Sequence, residues 1–232
     1  MKGVTPMWSF LRRKCRGYLD SYVETRSYDI ALQMQLDARA STARYVEDNM
    51  SQVSVFSDRM DHLDYALGQK RSHGLVCEFG VFQGHTINHI AKRVDAVVHG
   101  FDSFEGLPEL WTFGHAKGKF STNGVLPSVG RNVKLHVGWF DDTLPKFIQE
   151  YPDDVAFVHI DCDLYSSAKS VFDHLAPRIK PGTIIVLDDY FNHPGWQQHE
   201  YRALREFVEE QKISYEYIGY CRLGMQVSVK IL

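Results

Sequence analysis

The chain has 232 residues, with 26 Lys and Arg against 29 Asp and Glu, and a formal net charge of −3. This length suits one α/β domain with a decorating segment. The small negative charge predicts no nucleic-acid partner. Apolar residues make up 44% of the sequence, which is ordinary for a soluble globular protein, and no apolar run is long enough to predict a membrane span.

The four cysteines, Cys15, Cys77, Cys162 and Cys221, stand far apart and form no CxxC pair. This pattern predicts neither a disulfide framework nor a zinc site, and it favours a reducing compartment. The first apolar residues are followed at once by a basic run from Arg12 onward, which argues against a signal peptide. We therefore expect a cytoplasmic protein.

Residues 1–70 contain no strand-like run and carry apolar residues at helical spacing over 31–50 and 53–67. We predict that this region is an N-terminal helical cap and that residues 71–232 form the main domain. Three roles for the helices stay open: they cap the sheet, line a substrate pocket or form a homo-oligomer contact. The apolar pattern is the same for all three.

Strand-like runs alternate with helical segments from Gly74 onward, which indicates βαβ units and a mainly parallel sheet. The seven predicted strands are Leu75–Val81, Val97–Phe104, Val133–Phe140, Val155–Leu164, Thr183–Phe191, Tyr215–Tyr220 and Met225–Leu232. The predicted helices between them are His85–Arg93, Thr143–Glu150, Ser166–Ile179 and Gln197–Gln211, with a turn at residues 180–182. Only Cys221–Gly224 separates the last two strands, so we expect them to form an antiparallel hairpin. This α/β order resembles the Rossmann-like, seven-stranded sheet of class I methyltransferases, with its antiparallel last strand.

One connection, residues 105–131, is unusually long and rich in Gly, Pro, Ser and Thr. Long loops in compact domains are mostly functional or disordered. The aromatic residues Trp111, Phe113 and Phe120 argue against disorder. We predict that this loop is a lid over a pocket.

A glycine turn follows the first strand of the main domain, and Gly80 and Gly84 would let the backbone approach a ligand closely. Asp102 ends the next strand, 22 positions after Gly80, where an acidic residue can bind ribose hydroxyls. Phe82 stands where a dinucleotide-binding turn would carry its second glycine, which argues against a pyrophosphate ligand and a nucleotide-dependent oxidoreductase. S-adenosylmethionine has no phosphate, and Glu78 is a candidate to organise its amino acid end.

Four carboxylates end two successive strands: Asp161 and Asp163 on one, Asp188 and Asp189 on the other. So many carboxylates cannot all be buried without a compensating cation, and carboxylate oxygens suit Mg²⁺ or Ca²⁺. The alternative is that these side chains cap helices or form a salt-bridge network. His193, just beyond the second pair, is a candidate base or a loop histidine without a role.

The strings FDSFEGLPE at 101–109, GWFDDTLP at 138–145, HIDCDLYSSAKSVFDHL at 159–175 and PGTIIVLDDY at 181–190 resemble the macrocin O-methyltransferase family. The resemblance runs over residues 75–232. Members of this family are S-adenosylmethionine-dependent and metal-dependent enzymes, and many methylate sugar hydroxyls in natural-product pathways. The resemblance implies S-adenosylmethionine and Mg²⁺, or another divalent cation, as cofactors. It implies a small-molecule hydroxyl acceptor, either a sugar or another polar natural-product metabolite.

The resemblance also implies a role for each matched residue. The cofactor set comprises Glu78, Gly80 and Gly84 in the first motif, Asp102 and Ser103 at the ribose, Gly138, Trp139 and Phe140 near the adenine, and Asp161. The metal set comprises Asp161, Asp188 and Asp189. Asp163 matches the proposed general base, so the base is either Asp163 or His193. The chain departs from the family at Phe82 and His85, where smaller residues are commoner.

The same architecture also hosts proteins that transfer no methyl group, such as metal-dependent hydroxylase-type enzymes and proteins that bind the cofactor as a regulatory ligand. The aspartate set favours an enzyme over a bare binding module, because a binder needs no metal. It does not separate a methyltransferase from a metal-dependent hydroxylase. The primary expectation is an O-methyltransferase, in which a metal-bound hydroxyl loses its proton to a positioned base.

Overall fold

The computed structural model describes residues 7–112 and 114–232, with the side chains of residues 7–10 and 13 left out. Residues 1–6 of the predicted cap and Phe113 of the predicted lid lie outside the described residues. The helices are α1 (Met7–Ser27), α2 (Ile30–Asn49), α3 (Arg59–Gln69), α4 (His85–Ala91), α5 (Phe140–Glu150), α6 (Tyr165–Leu175) and α7 (Glu200–Gln211). The strands are β1 (Ser54–Phe56), β2 (Leu75–Phe79), β3 (Val98–Asp102), β4 (Val133–Val137), β5 (Val155–Ile160), β6 (Ile179–Leu187), β7 (Tyr215–Cys221) and β8 (Val227–Ile231).

The eight strands form one sheet in the order β1-β7-β8-β6-β5-β2-β3-β4. All pairings are parallel except those of β8, which runs antiparallel to β6 and to β7. The predicted Rossmann-like sheet, mostly parallel with an antiparallel last strand, is confirmed. The number of strands in the described chain is eight and not seven, because β1 adds a parallel strand beside β7.

The prediction that residues 1–70 lack a strand is therefore wrong, and the helix predicted over 53–67 begins later. The cause is Asp58, whose carboxylate accepts hydrogen bonds from the backbone N–H groups of Met60 and Asp61 at 2.7 and 3.2 Å. This N-cap starts α3 at Arg59. A strand of three residues is too short to show an alternating pattern in the sequence.

The turn predicted at residues 180–182 lies inside β6, and this prediction is also wrong. The pairing register between β5 and β6 shifts in this region, so the extra residues form an irregularity within the strand. Gly182 lies at the shift with a φ of +87°, a conformation that favours glycine. The glycine and proline that suggested a turn thus bend a strand without ending it.

The core lies on both faces of the sheet, and the central strands β2 and β5 are buried along their whole length. On one face, α5, α6 and α7 cover the sheet, and the rings of Phe172 and Phe207 stack at 4.8 Å between α6 and α7. On the other face, α3 and α4 pack against it through residues such as Leu63 and Ile87. Continuous apolar strands with helices on both sides are the arrangement expected of a parallel sheet.

The N-terminal helices are much less buried than the rest of the chain. The described side chains of α1 are exposed, while α2 buries Ala38 and Thr42. The boundary at residue 70 stays a prediction, although β1 places residues 54–56 in the main sheet. Within the described ranges, every helix falls short of the apolar length that a membrane crossing would require.

Candidate active site

The carboxyl ends of β2, β3, β5 and β6 meet at one edge of the sheet and border a cleft of about 930 Å³. Ligands of open α/β sheets bind at this edge. The loop at 105–131 contributes Leu107, Trp111, His115 and Phe120 to the wall. The predicted site residues in the lining are Gly80, Asp102, Ser103, Gly138, Trp139, Phe140, Asp161, Asp163, Asp188, Asp189 and His193.

Gly80 brings the end of β2 against the end of β5. Its φ is +93°, and an added Cβ would lie 1.7 Å from the backbone oxygen of Asp161. The close approach that glycine allows here is therefore to the neighbouring strand. Phe82 also has a positive φ, of 46°, lines the cleft and contacts Phe120 edge-on at 5.7 Å. Gly84 does not line the cleft and is the N-cap residue that precedes α4.

The carboxylate of Asp102 stabilises the glycine turn through hydrogen bonds. Its Oδ2 accepts hydrogen bonds from the backbone N–H groups of Val81 and Phe82, both at 2.8 Å, and its Oδ1 accepts one from Phe104 at 2.7 Å. A carboxylate offers about four acceptor positions. Capacity therefore remains on Asp102 for a hydroxyl of a ligand in the cleft.

Glu78 is fully buried beneath the cleft and does not line it. Its Oε1 accepts a hydrogen bond from the Thr86 hydroxyl at 3.1 Å, and its Oε2 pairs with Nδ1 of His159 at 3.0 Å. These partners connect Glu78 to the acidic end of the cleft through His159. Direct contact between the Glu78 side chain and a cofactor stays a prediction.

The residues predicted near an adenine lie between β4 and α5. Gly138 donates its backbone N–H to the carbonyl oxygen of Asp102 at 3.0 Å, which joins the ends of β3 and β4. Trp139 lines the cleft with 39% of its surface exposed. Phe140 begins α5 and packs edge-on against Phe79 at 5.3 Å. This part of the wall is aromatic and accessible, as a site for a planar base requires.

Asp161 and Asp188 form the first acidic group, together with Arg59 and His159. Arg59 Nη2 lies 3.0 Å from Asp188 Oδ1 and 3.4 Å from Asp161 Oδ2. His159 Nε2 lies 3.4 Å from Asp188 Oδ1, and Gln226 donates to Asp188 Oδ2 at 3.1 Å. Asp188 is thus hydrogen-bonded on both oxygens.

The protonation of this group follows its contacts. Burial disfavours the charged imidazole of His159, but hydrogen bonds to Asp188 and Glu78 outweigh burial and raise its pKa to about 10. Burial alone would raise the pKa of Asp188, and its contacts with His159 and Arg59 lower it. Burial and the neighbouring Asp188 raise the pKa of Asp161 well above its ordinary value.

Asp163 and Asp189 form the second acidic group, above Glu200 at the start of α7. The buried Glu200 carboxylate accepts backbone hydrogen bonds from Asp189 at 3.0 Å and from Cys162 at 3.4 Å, and so joins the two strand ends. Asp163 has a φ of +62°, an uncommon conformation for a residue with a Cβ. Burial, and then the charge of Asp188, raises the pKa of Asp163 to about 7.

These acidic groups fit a divalent cation. Ligand atoms of His159, Asp161 and Asp188 lie within 4.8 Å of one another, and Asp189 lines the same cleft. Burial raises the pKa values of Asp189 and Glu200 as well, and the charges of the neighbouring carboxylates raise them further. Oxygen ligands with uncompensated negative charge are the donors that Mg²⁺ and Ca²⁺ prefer.

His193 lies beside this group and is buried. Its Nε2 donates to the backbone oxygen of Asp189 at 3.1 Å, and its ring contacts Trp111 of the loop at a centroid distance of 5.5 Å. Burial lowers the pKa of His193. His193 therefore lies at the wall of the cleft where the loop meets the aspartates.

Sequence reasoning missed Arg59, His159 and Glu200 as site residues, and it named Trp111 only as an aromatic residue of the predicted lid. His159 is two positions before Asp161, so the shared face of a strand could have indicated it. Arg59 and Glu200 begin helices that are remote in sequence, and no local pattern marks them.

Known proteins similar to this chain were found by sequence and by structure. Residues 77–190 match the family described as "Methyltransferase domain". The chain is 28% identical over 202 residues to 8-demethyl-8-(2,3-dimethoxy-alpha-L-rhamnosyl)-tetracenomycin-C 4'-O-methyltransferase of Streptomyces olivaceus, covering 75% of this chain and 74% of that protein. It is 26% identical over 221 residues to mycinamicin III 3''-O-methyltransferase of Micromonospora griseorubida, covering 82% of each. The crystal structure of a calicheamicin methyltransferase has a similar fold, with a TM-score of 0.60 and 22% identity, covering 74% of this chain and 76% of that one.

The sheet order, the cleft and the domain match define a Rossmann-like methyltransferase. With the relatives named above, the chain is an S-adenosylmethionine-dependent O-methyltransferase. The domain match is broader than the macrocin family, which stays a resemblance.

Proposed function

We propose that this enzyme transfers a methyl group from S-adenosylmethionine to a hydroxyl of a sugar or another polyhydroxylated natural product, with a divalent cation at Asp161, Asp188 and Asp189. One observation carries the proposal: the carboxylates at two strand ends open into the same cleft as the glycine turn and Asp102. The names of the relatives specify methylation of a rhamnosyl tetracenomycin and of mycinamicin III. The ordered motifs that resemble the macrocin family support the same assignment.

The methyl donor would lie along β2, β3 and β4. Asp102 and Ser103 would bind the ribose, and Gly138, Trp139 and Phe140 would contact the adenine. The backbone at Gly80 would face the amino acid end. This orientation directs the sulfonium methyl towards the aspartates at the ends of β5 and β6, where the acceptor must bind.

In the reaction, the acceptor oxygen forms a bond to the methyl carbon while the carbon–sulfur bond breaks, and S-adenosylhomocysteine is released. The hydroxyl proton passes to a carboxylate oxygen of Asp163, which lines the cleft beside Asp189. A divalent cation, when bound, would lower the pKa of the acceptor hydroxyl. The chain's residues hold donor and acceptor in line, which reduces the entropic part of the barrier.

The metal assignment is tested with Asp188→Asn and Asp189→Asn. We expect Mn²⁺ binding, measured by electron paramagnetic resonance, to weaken at least about ten-fold in each variant. The thermal shift caused by S-adenosylhomocysteine should remain. Asp173→Asn is the matched control, because Asp173 is exposed on α6 and pairs with Lys169. Unchanged Mn²⁺ binding in both variants would contradict the metal site, and no thermal shift in the unaltered enzyme would contradict the donor site.

The base assignment is tested with Asp163→Asn, assayed with labelled S-adenosylmethionine against a panel of glycosides. Loss of general base catalysis should lower the rate of methyl transfer by roughly 10²- to 10⁴-fold. The affinity for S-adenosylhomocysteine should be unchanged. If Asp163→Asn transferred methyl groups at the full rate, the general base would instead be His193, the second candidate.

A further inference from the structure

Two buried polar atoms without a hydrogen-bond partner belong to neighbouring rings of the cleft wall, those of Trp111 and His193. In the described part of the chain, six buried side-chain nitrogen or oxygen atoms lack a hydrogen-bond partner, and two of them, Trp111 Nε1 and His193 Nδ1, belong to residues that line the cleft. Buried polar groups are nearly always paired, because an unpaired one costs about 1–3 kcal/mol. A ligand that pairs with both atoms would remove this cost.

The two atoms have opposite polarity. An indole Nε1–H can only donate. His193 uses Nε2 to donate to the carbonyl oxygen of Asp189, so in the neutral ring Nδ1 is a hydrogen-bond acceptor. The two rings lie 5.5 Å apart at an angle of 60°. One donor beside one acceptor matches a hydroxyl, or two neighbouring hydroxyls, because a hydroxyl both accepts and donates.

Charged ligand groups fit this wall poorly. A carboxylate or phosphate on the ligand offers acceptors alone, so it could pair with the indole N–H of Trp111 but not with Nδ1 of His193. An ammonium group has no acceptor for the indole N–H. The chemistry of the wall therefore selects a neutral hydroxylated group.

The same wall continues as a row of rings. Trp111 contacts His115 at a centroid distance of 5.0 Å, His115 contacts Phe120 at 5.7 Å, and Phe120 contacts Phe82 at 5.7 Å. The face of an aromatic ring carries partial negative charge. It attracts the C–H groups along one face of a saturated sugar ring, so the row of rings provides an apolar surface next to the two polar atoms.

We propose that Trp111 and His193 form the acceptor subsite and bind hydroxyls of a saturated sugar ring that neighbour the hydroxyl to be methylated. This inference rests on the proposed function and deepens it, because it assigns the substrate class to named groups. Trp111 is then a specificity-determining residue of the loop. His193 orients the acceptor, while Asp163 takes the proton.

The test uses two variants that each remove one polar atom. Trp111→Phe retains a ring but loses the N–H donor. His193→Gln keeps an amide near the position of Nε2 and removes the acceptor at Nδ1. Trp196→Phe is the matched control, because Trp196 is buried away from the cleft and donates its Nε1–H to Ser41 at 3.0 Å.

The probe is methyl α-L-rhamnopyranoside, with catechol as a planar diol for comparison. Both are titrated by saturation-transfer-difference NMR in the presence of S-adenosylhomocysteine and Mg²⁺. We expect the rhamnoside to bind more tightly than catechol. Its dissociation constant should rise about five- to ten-fold in Trp111→Phe and in His193→Gln, and should stay unchanged in Trp196→Phe.

The outcomes separate this inference from the proposed function. If S-adenosylhomocysteine stabilises the enzyme but neither cleft variant weakens rhamnoside binding, the subsite is wrong and the methyltransferase assignment stands. Tighter binding of catechol than of the rhamnoside would also overturn the sugar subsite. Loss of the S-adenosylhomocysteine shift in the unaltered enzyme would instead contradict the proposed function. The two variants are independent, so one that fails to fold leaves the other as the test.

Discussion

Arg59 Nη2 forms an ion pair with Asp188 Oδ1 at 3.0 Å, and the same nitrogen donates a hydrogen bond to Asp161 Oδ2 at 3.4 Å. A residue at the start of α3 thus supplies positive charge to the carboxylates that follow β5 and β6. The side chain of Arg59 is 39% exposed and lines the cleft. Arginine and a divalent cation would therefore compete for the same oxygens.

Arg59→Gln should tighten Mn²⁺ binding by a few-fold to about ten-fold, because it removes a positive charge from the metal ligands. Without a divalent cation, the variant should melt at a lower temperature than the unaltered protein, since two carboxylates lose a partner. Electron paramagnetic resonance and thermal melts in EDTA measure the two effects. Arg202→Gln is the control, because Arg202 pairs with Glu206 on the surface of α7. Weaker Mn²⁺ binding in Arg59→Gln would show that the arginine supports the metal.

Glu200→Gln should destabilise the fold by roughly 1–3 kcal/mol. Both carboxylate oxygens of Glu200 accept backbone hydrogen bonds, from Asp189 and Cys162, and an amide offers only one oxygen for the two donors. Urea unfolding measures the change. Glu209→Gln, at an exposed position of the same helix, should leave the free energy of unfolding within about 0.5 kcal/mol. Equal stability of the two variants would mean that Glu200 does not join the strand ends.

His62 makes the stability of the fold depend on pH. It is fully buried, its Nε2 lies 2.8 Å from the Ser228 hydroxyl, and burial lowers its pKa from 6.5 to about 4. In the unfolded chain the imidazole takes up a proton near pH 6.5, while the folded protein resists protonation down to about pH 4. The contribution of His62 is therefore present above pH 6.5 and is lost as the pH falls through this window.

The expected loss from His62 is about 2 kcal/mol at pH 5 relative to pH 7.5. Chemical denaturation of the unaltered protein and of His62→Gln at both pH values isolates the contribution of His62, because the two proteins share all other titrating groups. The variant should show the smaller decrease. The same pH dependence in both proteins would exclude His62 as the source.

Gly80→Ala should destabilise the protein by roughly 2–4 kcal/mol, because a Cβ would collide with the backbone oxygen of Asp161 and the φ of +93° disfavours side chains. The thermal shift with S-adenosylhomocysteine should shrink as the strand ends separate. Gly68→Ala in α3 is the control, and we expect it to stabilise the protein. Its added Cβ meets no atom within 4 Å, and the helix should gain about 0.5–1 kcal/mol. Thermal melts compare the pair, and a stable Gly80→Ala variant would contradict the close approach.

The sequence predicted most of the sheet because the central strands are continuous apolar runs separated by helical patterns. It placed the elements from β2 to β8 in the right order, including the antiparallel end. It failed at β1, which is three residues long, and at residues 180–182, where a glycine bends a strand without ending it. Both failures lie where local signals are short or have two structural meanings.

By itself, the sequence determined the class of fold and placed the glycines and aspartates at the ends of strands. Each apolar run marks a strand, the polar residues after it mark the carboxyl end, and the carboxyl ends of parallel strands share one edge of the sheet. Tertiary structure alone decided the partners. It placed Arg59 against Asp161 and Asp188, inserted Glu200 between the strand ends, and turned Glu78 away from the cleft towards His159. These contacts join residues far apart in the chain, and their geometry depends on how helices pack on the sheet, which no local pattern encodes.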